Sequence, residues 1–222
     1  MKSAQCSLLK ICKNGSVVFV ELELPSPVLT AGQFLLARNQ RDILPAVLFS
    51  TDKRGQYIFP MNSEFHWEVG DDLLITFPHG HGFTIKPDMR KLLMISQTSS
   101  PVRLFSAARQ ILENGGEAAL FSRNLPDQVP PEIEVLSDEQ LDEAVLWSDA
   151  IIGDAQLHHM DFWQGFQTKY QLSARQSVQI LVDTPIACDG TAECGVCAIK
   201  THAGWKQACS DGPVFNLRDL EF

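Results

Sequence analysis

The sequence lacks the features by which proteins enter or cross membranes. None of its apolar segments approaches the roughly eighteen uninterrupted residues that a membrane-spanning helix needs. The first residues, MKSAQCSLLKICKNGS, contain no continuous apolar stretch of signal-peptide length. We therefore expect a chain without a membrane span that is located in the cytoplasm.

Clusters of lysine and arginine are also missing, and the formal net charge is −9. Nucleic acids and anionic membranes need clustered basic side chains, because these displace the counterions of phosphate groups. The sequence thus predicts no nucleic-acid partner. It also lacks an internal repeat, a low-complexity segment and a recognisable set of general base and nucleophile.

The distribution of the six cysteines is not that of a disulfide framework. Two stand alone near the N-terminus, and four fall within residues 188–209. Such a group indicates a metal site in a chain of intracellular character.

Residues 1–87 contain short β-strand patterns without helical periodicity. Apolar or alternating runs occupy residues 16–24, 33–38, 46–51, 56–60 and 72–77. Gly, Pro, Asn and Asp separate these runs at short intervals. We predict an antiparallel β-barrel for this region.

From residue 88 the pattern changes to alternating strands and helices. KLLMIS (91–96) is a continuous apolar run, typical of a buried parallel strand, and Ser100 and Pro101 then suit a helix start. This predicts an α/β domain with a parallel sheet over residues 88–176, which ends in a helix over 160–173. Residues 177–222 are assigned to a small cluster-binding segment, so that the fold class is an α+β multidomain protein.

The clustered cysteines have the spacing C-x5-C-x2-C-x11-C; they are Cys188, Cys194, Cys197 and Cys209. Thiolates bind soft metals, and a C-x2-C turn brings two sulfurs to one metal while Gly195 lets the backbone bend. A four-thiolate zinc site usually uses two such turns, whereas this chain has one. The spacing therefore favours a [2Fe–2S] cluster, with zinc as the alternative.

The segment CDGTAECGVCAIKTHAGWKQACSDGPVF resembles the cluster segment of the dihydroorotate dehydrogenase electron-transfer subunit family, which is related to the small subunits of ferredoxin:NADP oxidoreductases. The shared elements are DGT, CGVC, and a last Cys followed by DGP and an aromatic residue. Members of this ferredoxin-reductase-like family consist of a flavin-binding barrel, a nucleotide-binding α/β domain and a small [2Fe–2S] lobe. The resemblance implies the same three parts here.

The resemblance leaves the first cluster ligand open. In the family this ligand lies five positions before the second and is a Cys in some members and an Asp in others. That position is Asp189 here, and Cys188 is one residue further away. Softness favours the thiolate of Cys188, while Asp189 also has an interpretation as a turn residue before Gly190. The remaining ligands implied are Cys194, Cys197 and Cys209.

The flavin motif of the family is only partly present. Its R-P-x-S segment holds the flavin pyrophosphate through the Arg, but the corresponding residues here read LPAV. Leu44 thus replaces the Arg and Val47 the Ser. FAD stays a candidate cofactor, and the implied binding residues are Pro45, Ala46, Val47 and Gly82.

The nucleotide motif has changed more. The family's glycine-rich turn corresponds to SQTSSPVR (96–103), which contains no glycine. Asp154 stands where a proline closes the nicotinamide site, and an acid repels phosphates. NAD(P) binding is therefore not expected. Arg41 lies three residues before Leu44 and is interpreted as a solvated charge, with contact to the flavin pyrophosphate as the alternative. His79 and His81 match the family's loop near flavin and cluster and are interpreted as polar loop residues, with contact to a cofactor edge as the alternative.

These observations predict an iron–sulfur electron-transfer subunit of an oxidoreductase complex. It passes single electrons between a flavin or a partner redox centre and a catalytic subunit, and none of its own residues is assigned a catalytic role. The expected partner is a catalytic or electron-accepting subunit in a hetero-oligomer. The alternative is a non-enzymatic, cluster-bearing scaffold or docking subunit without flavin and NAD(P).

Overall fold

The computed structural model describes residues 2–14, 17–24, 29–60, 66–98, 100–170 and 176–222. The last three residues of the helix predicted over 160–173 lie outside these ranges. None of the helices within the described ranges is long and apolar enough to cross a membrane.

Six strands in the first part of the chain form a closed antiparallel barrel, as predicted. They are β1 (Lys2–Asn14), β2 (Val17–Leu22), β3 (Phe34–Arg38), β4 (Ala46–Ser50), β5 (Gln56–Pro60) and β6 (Asp72–His79). Their order around the barrel is β1-β2-β5-β4-β3-β6. Exposed and buried residues alternate along β6, so Leu73, Ile75 and Phe77 face the barrel interior. There they meet Leu35 and Leu48 in one apolar core.

The second part of the chain alternates strands and helices. The elements are β7 (Lys91–Ser96), α1 (Phe105–Glu113), β8 (Glu117–Ser122), β9 (Ile133–Val135), α2 (Leu141–Trp147), β10 (Ala150–Gln156), α3 (Asp161–Lys169), β11 (Ser177–Asp183), β12 (Ala198–Thr201), β13 (Gly204–Gln207) and β14 (Val214–Asn216). One six-stranded sheet has the order β14-β11-β10-β7-β8-β9, and β12 and β13 form a separate hairpin. The sheet is parallel except for β14, which is antiparallel to β11. The predicted parallel sheet is thus confirmed, with one antiparallel edge strand.

The C-terminal region differs from the predicted separate segment over residues 177–222. β11 pairs with β10 along its whole length, and β14 pairs with β11. The reason is that β11 is buried at its five central positions and therefore needs the neighbours of a sheet interior. The clustered cysteines consequently belong to an insertion, residues 184–213, between two strands of the α/β sheet.

A packed seam joins the barrel to the sheet. Gln179 of β11 accepts a hydrogen bond from the Thr84 N–H at 2.8 Å and donates one to the Thr84 carbonyl oxygen at 3.0 Å. Phe34 and Phe49 of the barrel lie in the same apolar cluster as the sheet residues. The guanidinium of Arg103 stacks on the Phe49 ring at 5.4 Å. These contacts fix the two parts relative to each other.

Gly153 of β10 packs against the fully buried ring of Trp163. A Cβ atom at this position would overlap the ring and approach the carbonyl oxygen of Ile95. We predict that Gly153→Ala lowers the free energy of unfolding by about 1–3 kcal/mol, because overpacking forces the neighbours apart. Urea denaturation measures the change.

Gly165→Ala is the matched control for this substitution. Gly165 lies in α3 with open space around it, so alanine there should raise the free energy of unfolding by about 0.5–1 kcal/mol. Equal effects of the two substitutions would contradict the packing argument.

Candidate metal centre and cofactor cavity

The cysteine segment begins with a tight turn over residues 188–191. The Thr191 N–H donates to the Cys188 carbonyl oxygen at 3.0 Å, and the central residues Asp189 and Gly190 have φ angles of 49° and 77°. Positive φ at both central positions defines a type I′ turn, which favours Asp-Gly sequences. Asp189 and Gly190 thus form the centre of this turn.

Backbone N–H groups after this turn favour the thiolate form of two of the cysteines. Those of Cys194 and Glu193 lower the pKa of Cys188, and that of Ala192 acts in the same direction on the pKa of Cys209. Ala192 also has a positive φ of 63°, and left-handed residues of this kind turn neighbouring amides toward one anion. The hydrogen bond from the Cys194 N–H lowers the pKa of the Cys188 thiol to about 6. Burial raises the pKa of Cys209 to about 12.

The four clustered thiols influence one another's pKa in two pairs. The side chain of Cys194 lowers the pKa of Cys188, and that of Cys197 raises the pKa of Cys209. The charge of Cys188 also acts on Cys209, so the two pairs adjoin. Within the described part of the chain, no group of three His, Cys, Asp or Glu side chains converges to hold a single ion. Two adjoining pairs suit a two-iron cluster, in which each iron takes two protein ligands.

The carboxylate of Asp189 faces the barrel instead of the thiols. Arg38, the last residue of β3, donates from Nη1 to the two Asp189 oxygens at 3.2 and 3.4 Å. Both side chains are about half exposed, at 41% and 46%. The structure therefore directs the Asp189 carboxylate toward Arg38.

His79, the last residue of β6, packs against the turn over residues 188–191. Its ring stacks on Phe34 with centroids 5.4 Å apart, and its Nε2 lies 2.8 Å from Thr76 Oγ1. Gly190 lies so close to this ring that a Cβ atom there would overlap it. His79 is 4% exposed, and burial lowers the pKa of its imidazole. Its interpretation as a polar loop residue is wrong, because the cluster segment covers it.

A cavity of about 670 Å³ lies between the barrel, the loop after β10 and the residues that lead to Cys188. Pro45, Ala46 and Val47 line its barrel side, as does Arg41. Ala187 lines the opposite side. Since Ala187 precedes Cys188 in sequence, a single residue separates the cavity from the thiol group.

Two positions implied by the family's flavin motif give this cavity no polar side chain. Gly82 lies apart from its wall and packs closely against Thr30 and Ala31. Leu44, at the position of the family's Arg, lines the cavity, but its side chain is apolar and offers no hydrogen bond to a pyrophosphate. A larger groove of about 860 Å³ lies between β1, β2 and the loop 126–132, and none of the predicted site residues lines it.

The carboxyl ends of β7, β10 and β11 carry a buried ion-pair network. Arg103 donates from Nε to Asp154 at 2.9 Å and from Nη1 to Asp183 at 3.2 Å. Asp154 is fully buried and also accepts from Ser96 Oγ and Thr98 Oγ1, each at 2.9 Å. Ligands of parallel α/β sheets bind outside the carboxyl ends of the strands. In this protein a guanidinium of the chain itself occupies that crevice.

The prediction that Asp154 acts as a free acid that repels phosphates is wrong, because Asp154 pairs with Arg103. Its charge is compensated by Arg103, whose side chain is 4% exposed. Burial alone would lower the pKa of Arg103, but Asp183 and Asp154 raise it above its ordinary value. The crevice thus contains a buried Arg103–Asp154 ion pair, and Asp183 is a second carboxylate bound to the same guanidinium.

Sequence reasoning missed Arg38 and Arg103. Arg103 pairs with residues 51 and 80 positions away, and Arg38 with a residue 151 positions away, so no local spacing reveals these contacts. The feature of the sequence that could have identified these two residues was the position of each arginine relative to a strand. Arg103 lies in the turn after a buried parallel strand, and Arg38 ends a strand whose other residues are apolar.

Comparison with protein families supports the cluster segment. Residues 185–221 match the family described as the iron–sulfur cluster binding domain of dihydroorotate dehydrogenase B. The matched range contains the four clustered cysteines and Asp189. The predicted resemblance and the predicted iron–sulfur segment are confirmed by this match.

One similar protein is the electron transfer subunit of dihydroorotate dehydrogenase B (NAD(+)) from Clostridium perfringens (strain 13 / Type A). The two chains are 25% identical over 174 residues, which are 69% of this chain and 68% of the relative. A match over 69% of this chain extends beyond residues 185–221.

Solved structures show the same architecture. A structure of NADH-dependent reduced ferredoxin-NADP oxidoreductase has a TM-score of 0.75 and 17% identity, with 98% of this chain and 90% of that chain covered. The ferredoxin reductase in carbazole 1,9a-dioxygenase has a TM-score of 0.60 and 13% identity, with 80% and 68% covered. The fold is therefore ferredoxin-reductase-like, as predicted.

Arg103→Leu removes the cation that neutralises a fully buried carboxylate. We predict that this substitution lowers the free energy of unfolding by about 3–5 kcal/mol, because Asp154 is left buried and unpaired. Urea denaturation followed by circular dichroism measures the loss.

Arg109→Leu is the control, since it removes an exposed arginine that pairs with Glu113 at 2.7 Å. Its cost should stay below about 1 kcal/mol. A loss of similar size in both variants would show that the buried network contributes no more than a surface ion pair.

Proposed function

We propose that this protein is an electron-transfer subunit that holds a [2Fe–2S] cluster on four cysteines. The proposed ligands are Cys188, Cys194, Cys197 and Cys209. The single observation that carries the proposal is the match of residues 185–221, which contain all four cysteines, to an iron–sulfur cluster binding domain. When bound, such a cluster accepts and releases one electron at a time.

The residues around the thiols have defined tasks in this proposal. The cysteines hold the irons, and the N–H groups of residues 192–194 stabilise the negative charge on the sulfurs by hydrogen bonds. The hydroxyl of Thr191 adds a hydrogen bond to the Cys188 carbonyl oxygen at 3.0 Å and keeps the turn closed. Hydrogen bonds to the sulfurs favour the more negative, reduced state.

FAD is proposed for the cavity of about 670 Å³ beside Cys188. The supporting observations are its position against the β4 segment and its separation from the thiols by one residue. A flavin bound there would convert a pair of electrons into single electrons. Pro45, Ala46 and Val47 would contact the flavin, and Arg41 is the cation in the wall that suits a phosphate.

Direct oxidation of NAD(P)H is not part of the proposed function. The crevice at the carboxyl ends of the sheet strands contains Arg103 and its two carboxylates, and the turn at residues 96–103 has no glycine. A dinucleotide would have to displace a neutralised, buried ion pair. Electrons therefore enter and leave through a flavin or a partner protein.

The proposed partner is a catalytic or electron-accepting subunit, in a hetero-oligomer within a reducing compartment such as the cytoplasm. Cys194 is exposed, and so are the nearby apolar side chains of Val196, at 49%, and Trp205, at 68%. Exposed apolar side chains beside an electron-transfer centre suit contact with another protein. All six cysteines are free thiols, as expected in a reducing compartment.

A second candidate function is a scaffold that carries the cluster without flavin. It is favoured by Leu44 and Val47, which replace the polar groups of the flavin motif with apolar side chains. In this case the barrel and the sheet would only position the cluster between redox centres of other subunits.

Metal analysis of the purified protein tests the cluster proposal. We expect equal amounts of iron and acid-labile sulfide, and an EPR signal after reduction with dithionite. Cys188→Ala should lose most of the iron because a ligand is removed, whereas Asp189→Asn should keep the cluster.

Cys12→Ala is the matched control, since it removes an exposed cysteine outside the cluster segment and should keep all the iron. Zinc in place of iron would sink the proposal. Full iron content in Cys188→Ala together with loss in Asp189→Asn would assign the first ligand to the aspartate.

Flavin binding is tested with a substitution that fills the cavity. Val47→Trp places an indole where the flavin is proposed, so the variant should fail to quench the fluorescence of added FAD, which the unmodified protein should quench. Val69→Trp, at a valine that is 65% exposed outside the cavity, should bind FAD normally. NADH should leave the cluster oxidised in the same samples, while dithionite reduces it. A cluster-containing protein that never binds FAD would favour the scaffold function.

A further inference from the structure

We propose that the side-chain amide of Gln207 donates a hydrogen bond to the Cys197 sulfur when the cluster is bound, and thereby raises the reduction potential of the cluster. This inference rests on the proposed function, because Cys197 is one of the proposed ligands. Gln207 acts on the irons only through this ligand. It is therefore a positioning residue and not a ligand itself.

The two side chains meet inside the cysteine insertion. Cys197 comes directly before β12, and Gln207 is the last residue of β13. Cys197 Sγ lies 3.4 Å from Gln207 Oε1, and the thiol donates a hydrogen bond to this oxygen. Cys197 is 1% exposed and Gln207 is half-buried, so the contact is shielded from most of the solvent.

The backbone of Gln207 is fixed relative to Cys197. Gln207 pairs with Ala198 across the hairpin, and the N–H of Ala208 donates to the Cys197 carbonyl oxygen at 3.0 Å. The N–H of Gln207 donates to the Asp211 carboxylate at 2.8 Å. The amide is thus held beside the sulfur, and only its side-chain torsions are free to change.

Binding of iron reverses what the sulfur requires from the amide. A cysteine that binds a metal is a thiolate, which has lost its proton and can only accept hydrogen bonds. The Gln207 oxygen would then face a negatively charged sulfur, and this arrangement is repulsive. The NH₂ group of the same amide is a donor and suits the thiolate.

A rotation of the amide exchanges its two terminal atoms. The last side-chain torsion of glutamine is broad and roughly twofold, so a half turn puts Nε2 in the place of Oε1. Neither atom of this amide has a second hydrogen bond within the described part of the chain. The rotation therefore breaks only the bond that the lost proton had made.

A donor at this sulfur favours the reduced cluster. Reduction adds negative charge to the site, and a hydrogen bond to a ligand sulfur stabilises the more negative state. A net hydrogen bond is equivalent to about a two- to tenfold change in an equilibrium constant. Gln207 should therefore change the ratio of reduced to oxidised cluster by no more than this factor.

Gln207→Met is the first test, because methionine keeps the length of the side chain and removes both amide atoms. The ratio of reduced to oxidised cluster at a fixed potential should fall about two- to tenfold, which lowers the reduction potential by about 20–60 mV. A redox titration followed by EPR measures the shift. Removal of an oxygen that faced the thiolate would instead raise the potential, so the sign of the shift identifies the atom at the sulfur.

Gln207→Glu keeps the shape of the side chain but replaces the donor with a carboxylate. It should lower the potential further than Gln207→Met does, because a negative charge then lies beside the thiolate. Both variants should keep iron and sulfide, since neither changes a ligand.

Electron–nuclear double resonance of the reduced cluster provides a readout that does not depend on the potential. In deuterium oxide the unmodified protein should show a deuterium coupling that Gln207→Met lacks. Gln110→Met is the matched control, because Gln110 is an exposed glutamine of α1, which packs against β7 and β8. This variant should keep the coupling and the potential of the unmodified protein.

The outcomes separate the inference from the function on which it rests. An unmodified protein without iron and sulfide would overturn both. A potential that is unchanged or higher in Gln207→Met, or an unchanged set of deuterium couplings, would overturn the role of Gln207 only. Loss of the cluster from both Gln207 variants would also overturn this role, because the side chain would then be needed to hold the segment and not to set its potential.

Discussion

The cysteine segment depends on a backbone that turns left-handed at three of four consecutive residues. Asp189, Gly190 and Ala192 all have positive φ, and this turn aims the following amides at the sulfurs. Left-handed backbone costs roughly 1–2 kcal/mol for a residue with a side chain, although Asp tolerates it better than most. The segment has little core of its own, so its flanking strands and the barrel must offset this strain.

The sheet supplies one part of that support. Because the segment is an insertion between β11 and β14, its two ends are held by the register of a buried sheet. The other part comes from the barrel, where Arg38 and His79 contact the turn over residues 188–191. The cavity lies at the junction of these parts, since Ala187 follows β11 and Pro45 precedes β4. The distance between the cavity and the cysteine thiols is therefore set by the sheet and the barrel together, and not by a single loop.

Local patterns were sufficient to predict the elements but not the contacts between them. The alternation in β6, the apolar run of β7 and the Ser-Pro helix start all follow from neighbouring residues, and the structure has them as predicted. The cysteine spacing likewise predicted an iron–sulfur segment, which the family match supports. Arg38 and Arg103 were missed because their partners are 51 to 151 positions away. The assignment of β11 failed because a strand pattern does not reveal which sheet it joins.

The two arginine–aspartate pairs differ in how much free energy each contributes. Arg103 and Asp154 are buried, so breaking that pair costs several kcal/mol and the crevice stays closed in every folded molecule. Arg38 and Asp189 are about half exposed, and such a pair contributes at most about 1 kcal/mol, which is roughly fivefold in a population. An interaction of this size cannot hold the fold together. It is large enough to bias the orientation of the Asp189 side chain in a segment whose ends are already fixed by the sheet.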